Sequence, residues 1–312
     1  MKLHGIHHVT AITARARENH HFYTQVLGMR LVKKTVNQDD VSAYHLFYAD
    51  GNGTPGSDLT FFDWPAAPEQ RGTPGITRTG LRIGNNASLE WWHDRLRARD
   101  VRHEGIAERD GRAVLDFEDP EGQRLCFVAD EADGKAHPWT RSPVPPEHQI
   151  RGLGPVTLSV PKLERTDRVF RELLNMQPVR SYDHAGREAR VYQSGDASGP
   201  AQELHVMTEP GAPFARQGAG GVHHLALRTT LSDYDAWAAR LSDAGIPHSG
   251  PVNRFWFRSL YFREPNGILI EIATDEPGFT ADEPSDRLGE ALSLPPFLEP
   301  RRAEIEAGLK PL

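Results

Sequence analysis

Two short openings constrain this chain more than any other feature. Gly5-Ile6-His7-His8-Val9-Thr10 and Gly221-Val222-His223-His224-Leu225-Ala226 carry paired histidines in the same place. Each is followed by helix, turn and strand signals in the same order, and two segments between them keep that order without the histidines. A chain of repeats must pack its units against one another, because no unit alone buries its apolar face. In the first segment the pattern predicts a helix over 16–27, stopped by Gly28 in the left-handed position that ends helices, then strands over 29–36, 43–48 and 59–62.

The second segment opens over 76–83, with a helix over 88–99 and the turn Asp119-Pro120-Glu121-Gly122 before a strand over 124–128. The third opens at Gly154-Pro155-Val156-Thr157-Leu158, with a helix over 164–174 and a last strand over 202–207. The fourth has a helix over 233–244, stopped by Gly245, and the turn Glu264-Pro265-Asn266-Gly267 before a strand over 268–273. At roughly 60 to 75 residues each, the segments are too long for solenoid repeats. They suit four βαβββ modules, an α+β fold of curved mixed sheets in two domains. Pro143, Pro145 and Pro146 mark a linker, so the expected division is 1–145, 146–293 and a Pro-rich tail over 294–312 with a short helix over 301–307.

Composition narrows the function classes. The 312 residues are 38% hydrophobic and 25% charged, enough apolar material for a real core. The net charge of −7 comes without a basic patch interleaved with aromatics, which argues against a nucleic-acid partner. No run of roughly 18 apolar residues is present, so no membrane span is expected. The first residues lack an apolar stretch of signal-peptide type, and a single cysteine, Cys126, allows no intramolecular disulfide. The cytoplasm is the expected compartment, and homo-oligomerisation stays open.

Aligning the openings sets His8 against Thr79, Pro155 and His224; aligning the last strands on Gly122 and Gly267 sets Glu271 against Cys126. Forty-seven residues separate His224 from Glu271, and forty-seven separate Thr79 from Cys126. In the third module Glu203 falls near the acidic position; in the first, Asp58-Leu59-Thr60-Phe61-Phe62 has no carboxylate at the matching depth. Only the first and fourth modules place a histidine at the opening position, so a site is expected between them. On the last strand Ile268, Ile270 and Ile272 share the face that suits a helix, which leaves Glu271 on the opposite face with Leu269 and Ala273. A buried carboxylate needs a positive partner. Two imidazoles and one carboxylate form the facial triad of non-haem iron(II) centres with open positions, and the same ligands also bind manganese(II). His20, His45, His93, His103 and His248, among others, lie in helices, loops or variable strands and have no such register argument.

The run from Phe22 to Asn37, the run Arg258-Ser259-Leu260-Tyr261-Phe262-Arg263 through Glu271, and Leu294-Pro295-Pro296-Phe297 in the tail resemble, together with the two openings, the vicinal-oxygen-chelate superfamily. More narrowly, they are similar to its ring-cleaving dioxygenases acting on hydroquinones. The resemblance covers nearly the whole chain. It implies that His8, His224 and Glu271 hold iron(II). It also implies that Thr10, His7, His223, Arg254 and Tyr261 surround a small aromatic substrate and dioxygen. In this reading Tyr261 donates to a ring oxygen, Arg254 stabilises negative charge and His223 moves a proton. Simple alternation puts His223 on the face opposite His224, and His7 opposite His8, whereas Thr10 shares His8's face. Two other activities exist on this fold: a glyoxalase-type isomerase or lyase with a fourth protein ligand, and metal-free sequestration of small molecules. The ligand set distinguishes them; the fold does not.

Overall fold

The computed structural model describes residues 1–131 and 136–312. The four repeats fold as four modules. The first contains β1 (Ile6–Thr13), α1 (Ala16–His21, continued as a π-turn over Phe22–Val26), β2 (Arg30–Asn37), β3 (Asp40–Ala49) and β4 (Asp58–Asp63). The second contains β5 (Gly75–Ile83), α2 (Asn86–Ala98), β6 (Ala107–Arg109), β7 (Arg112–Glu118) and β8 (Arg124–Ala129). The third contains β9 (Gly152–Val160), α3 (Leu163–Arg168, continued over Val169–Leu173), β10 (Gln177–His184), β11 (Arg187–Gln193) and β12 (Glu203–Thr208). The fourth contains β13 (Val222–Thr229), α4 (Leu231–Asp243), β14 (Val252–Asn253), β15 (Arg258–Arg263) and β16 (Leu269–Thr274); a short α5 (Arg302–Gly308) ends the tail. Among the described residues no helix is long and apolar enough to cross a membrane.

Local chemistry explains the boundaries. Asn85 caps α2 by accepting from the Ser88 N–H. Gly28 sits at φ +71° after the first helix, and a Cβ there would come within 2.5 Å of Val144. The two turns before β8 and β16 are built alike. Asp119 Oδ1 accepts from the Glu121 and Gln123 N–H groups, and Glu264 Oε1 accepts from those of Asn266 and Ile268. Helix α4 buries Tyr234, Trp237 and Leu241 in the same core as Ile270 and Ile272, as the strand parity predicts. Truncating a buried tryptophan such as Trp237 to alanine costs roughly 3–5 kcal/mol.

The modules form two eight-stranded sheets, and each sheet takes one module from either side of residue 145. One runs β14-β15-β16-β13-β1-β4-β3-β2 and joins the fourth module to the first; the other runs β10-β11-β12-β9-β5-β8-β7-β6 and joins the third to the second. The division at 145/146 thus follows chain order, whereas the hydrogen-bonded pairing crosses it. The physical reason is that the opening strands pair antiparallel, β1 with β13 and β5 with β9, so the outer two modules join each other and the inner two join each other across residue 145.

The ladders also correct the alignment of the repeats. His8 pairs with Ala226, and Arg78 pairs with Thr157 at the matching place, so Arg78 rather than Thr79 stands where His8 does. In the parallel ladders Thr10 faces Thr60, Gly80 faces Cys126, Thr157 faces His205 and Ala226 faces Glu271. His205 rather than Glu203 therefore matches Glu271, and Thr60 is the matching residue of the first module. The displacement comes from the lengths of the intervening segments: forty-eight residues separate Arg78 from Cys126 and fifty separate Pro155 from His205, against forty-seven from His224 to Glu271.

The tail covers β2. Leu294, Leu298 and Ile305 pack on Val36. Lys33, fully buried, bonds to Asp282 at 2.8 Å, to Glu283 and to the Phe279 carbonyl, with its ammonium 5.0 Å above the Trp256 ring. Asp282 also accepts from Trp256 Nε1 at 2.8 Å, which fixes the loop before β15.

Candidate metal centre

The register brings His8, His224 and Glu271 together on the concave side of the first sheet. His8 Nε2 lies 3.3 Å from His224 Nε2, and Glu271 Oε2 lies 3.1 Å from the first and 2.9 Å from the second. All three residues are buried. Cis ligands about 2.1 Å from a six-coordinate ion stand about 3.0 Å apart, so the triangle has the dimensions of one face of such a site. Neither Glu271 oxygen has an aligned hydrogen-bond donor among the described residues. Burial pushes the Glu271 carboxyl up, but the imidazoles of His8 and His224 outweigh it and hold the group well below the usual carboxylate range. An ionised, buried carboxylate without a donor calls for a cation.

The neighbouring histidines complete the cradle from behind. His7 Nε2 lies 3.1 Å from the Thr274 carbonyl, which accepts only, so the proton of His7 sits on Nε2. Its Nδ1, 2.9 Å from His8 Nδ1, is then an acceptor, and His8 carries its proton on Nδ1. That leaves the His8 Nε2 lone pair facing Glu271 and His224. The fourth module repeats the contact, with His223 Nδ1 2.8 Å from His224 Nδ1. Burial, then the neighbouring His8 or His224, pushes His7 and His223 each down to about 3. Burial likewise pushes His224 down against the pull of Glu271, which keeps its imidazole neutral and able to offer a lone pair. The register shifts at His7 and His223 explain how adjacent histidines touch, against simple alternation.

A narrow cavity opens beside the triad. His8, His224, Asn37, Gln38, His45, Phe47, Phe62, Arg254, Trp256, Phe257 and Tyr261 line it. Of the residues singled out in the sequence, Arg254 and Tyr261 stand in its wall. His7, His223 and Thr10 do not: the first two lie behind the ligand rings, and Thr10 is fully buried against Thr60, with 2.8 Å between their hydroxyl oxygens. Arg254 is no free surface charge. It bonds to Asp39 at 2.8 Å, stands 5.5 Å above the Tyr261 ring and approaches its hydroxyl at 3.4 Å. Burial, then Glu271, pushes the Tyr261 phenol up, so it remains a protonated donor. Phe255, beside Arg254, is held at φ +74°, a strained conformation for a bulky residue. His45, Phe47 and Phe62 escaped the sequence reading. His45 and Phe47 alternate on β3, a signal that becomes usable once the concave face is known.

The matching place in the second sheet has a different content. Arg78 and Pro155 stand at the positions of His8 and His224, and Cys126 and His205 at those of Thr60 and Glu271. Arg112 clasps Glu203 at 2.7 and 2.9 Å, Arg180 bridges Asp110 and Glu203, and Arg109 and Arg78 hold Asp116. Asp110, Glu203 and His205 are close enough to share an ion, but guanidinium groups already neutralise both carboxylates.

Known proteins share this architecture. Residues 5–127 and 152–272 match the Glyoxalase/Bleomycin resistance protein/Dioxygenase superfamily. A Bacillus subtilis protein provisionally named ring-cleaving dioxygenase MhqA is 46% identical over the full length of both chains. The chlorohydroquinone/hydroquinone 1,2-dioxygenase of Sphingobium indicum is 30% identical, over 97% of this chain and 95% of its own. A crystal structure of a Bacillus subtilis protein provisionally described as a dioxygenase superposes with a TM-score of 0.92 at 35% identity, covering 100% of this chain and 98% of the other.

Proposed function

Because the chain belongs to the Glyoxalase/Bleomycin resistance protein/Dioxygenase superfamily, we propose that it is an iron(II)-dependent ring-cleaving dioxygenase that opens a hydroquinone-type ring with dioxygen. One observation carries this choice within the superfamily. Thr60 occupies, in the first module, the ladder position that Glu271 occupies in the fourth. A glyoxalase-type isomerase would use a fourth protein ligand; here that place holds a hydroxyl bonded to Thr10 and His45. Three protein ligands would leave positions open on a six-coordinate ion, and the cavity lies beside them.

When bound, the ion supplies a positive charge that favours the ionised form of a ring hydroxyl and lets the ring and dioxygen meet side by side. The chain's own residues do the rest. Phe47, Phe62, Trp256 and Phe257 give the cavity aromatic walls, and a flat ring seated among them would displace water and strengthen the polar contacts inside. Tyr261, protonated throughout the neutral range, donates to an oxygen of the ring. Arg254, steadied by Asp39, places its charge beside that oxygen. His7 and His223 hold His8 and His224 with their Nε2 lone pairs forward, the way partners of ligand histidines ordinarily act.

The reading is of extradiol type, with the opened product a chain acid. Its test is oxygen uptake after anaerobic loading with iron(II) and addition of hydroquinone. One oxygen consumed per ring, with a new ring-opened absorbance, is the expected result. Tight metal binding without oxygen consumption across hydroquinones and catechols would favour an isomerase.

A further inference from the structure

The first module contributes a polar chain to the cavity that the account above leaves without a task. Thr10 Oγ1 lies 2.8 Å from Thr60 Oγ1, which lies 2.9 Å from His45 Nε2. The His45 ring is wedged between Phe47 and Phe62, with centroids 4.0 and 4.4 Å away. It lines the same cavity as His8, His224, Arg254 and Tyr261. In the sheet, β3 lies beyond β1 and β4, whereas Tyr261 on β15 lies beyond β13 and β16, so the two residues flank the triad from opposite sides.

The chain fixes the ring and leaves one nitrogen for a ligand. With Nε2 engaged by Thr60, Nδ1 is the remaining polar atom. It donates when the Thr60 hydroxyl turns its proton to Nε2, and accepts when Nε2 carries the proton. Burial, with His8 and His224 nearby, keeps the imidazole neutral and so able to do either. The two amide side chains of the wall are each engaged through one atom. Asn37 Oδ1 accepts from the Asp39 N–H, and Gln38 Nε2 donates to the Arg254 carbonyl, each at 2.9 Å. Between Phe47 and Phe62, His45 is a group able to read a hydroxyl.

We propose that His45, oriented by Thr60 and Thr10, hydrogen-bonds the ring hydroxyl that is not held at the metal, and so selects rings carrying two hydroxyls over monophenols. This rests on the dioxygenase reading above. Tyr261 and Arg254 attend to one oxygen of the ring, and His45 to the other.

The experiment is anaerobic equilibrium binding of hydroquinone and of phenol to the iron(II)-loaded protein, with metal content measured for each variant. His45→Phe keeps a flat ring between Phe47 and Phe62 and removes the hydrogen bond. It is expected to weaken hydroquinone binding roughly tenfold, the worth of one hydrogen bond in a dry site, to raise KM similarly and to leave phenol binding and iron content unchanged. His45→Gln should recover part of the preference, and Thr60→Val, which leaves His45 in place without its anchor, should lose part of it. An unchanged preference for hydroquinone in His45→Phe would overturn the assignment, as would equal loss of both compounds, which would make His45 a mere wall. If the unaltered protein turns over hydroquinone in either case, only this assignment falls. If the unaltered protein neither binds hydroquinone nor consumes oxygen, the dioxygenase reading falls and this one with it.

Discussion

The two sheets have the same topology and open the same kind of cleft, yet they fill it with opposite chemistry. In the first, two imidazoles and a carboxylate converge to within 3.3 Å of one another, with no aligned donor for the carboxylate among the described residues. In the second, Arg78, Arg109, Arg112 and Arg180 occupy the space and Asp110, Asp116 and Glu203 answer them. The second cleft thus supplies positive charge to its carboxylates from its own side chains, whereas in the first the guanidinium of Arg254 bonds to Asp39 and Tyr261 rather than to Glu271. A buried ion set that is complete in itself serves structure; one that is incomplete invites a ligand.

The largest effect that sharpens this contrast comes from the carboxylate. Glu271→Ala should abolish metal binding and oxygen consumption together while the protein stays folded, measured by metal analysis and circular dichroism. Next comes the residue that keeps the first cleft open. Thr60→Asp places a carboxylate at the position matching Glu271. It should keep or tighten metal binding while lowering turnover at least tenfold, since it fills an open position and breaks the Thr10–His45 chain. Undiminished oxygen uptake in that variant would mean that the open side lies elsewhere. Tyr261→Phe should retain the metal and lower kcat by about 10²; unchanged kinetics would remove Tyr261 from the reaction.

The smallest effect belongs to the second cleft and is read as pH dependence of stability. Burial pushes Glu203 up, but His205, Arg112 and Arg180 outweigh it and hold the carboxyl far below its ordinary range. Asp116 is held down in the same way by Arg109 and Arg78. A group depressed in the folded state stabilises above its unfolded pKa, about 4 for a carboxylate, and loses that contribution as pH falls toward the folded value. Thermal midpoints should therefore drop below about pH 4, and Glu203→Gln should flatten that drop while lowering the midpoint at neutral pH. An equally steep acid drop in Glu203→Gln would assign the acid sensitivity to other groups.

The contrast was only partly legible in the sequence. His8, His224 and Glu271 stood out because ligand types recur at one register of a repeat, and spacing survives in a linear reading. The meeting of the first and fourth modules was legible from the same histidines, whereas the division at 145/146 follows chain order and gives no sign that each hydrogen-bonded sheet crosses it. Equal spacing selects Thr79 rather than Arg78, because the second module has forty-eight residues from Arg78 to Cys126 where the fourth has forty-seven from His224 to Glu271. His7 and His223 were read as alternating away from the ligands, and the same shifts bring each ring against its neighbour's Nδ1. His45 gave no signal until Phe47 and Phe62 were seen to share its cavity.

The central claim is that the first cleft holds one divalent ion on three ligands and the second holds none. Iron(II) titration under anaerobic conditions, on the unaltered chain and on His205→Ala and His224→Ala, tests it most directly. The account predicts one equivalent for the unaltered chain, one for His205→Ala and none for His224→Ala. Two equivalents in the unaltered chain, or one that survives His224→Ala and vanishes with His205→Ala, would contradict it.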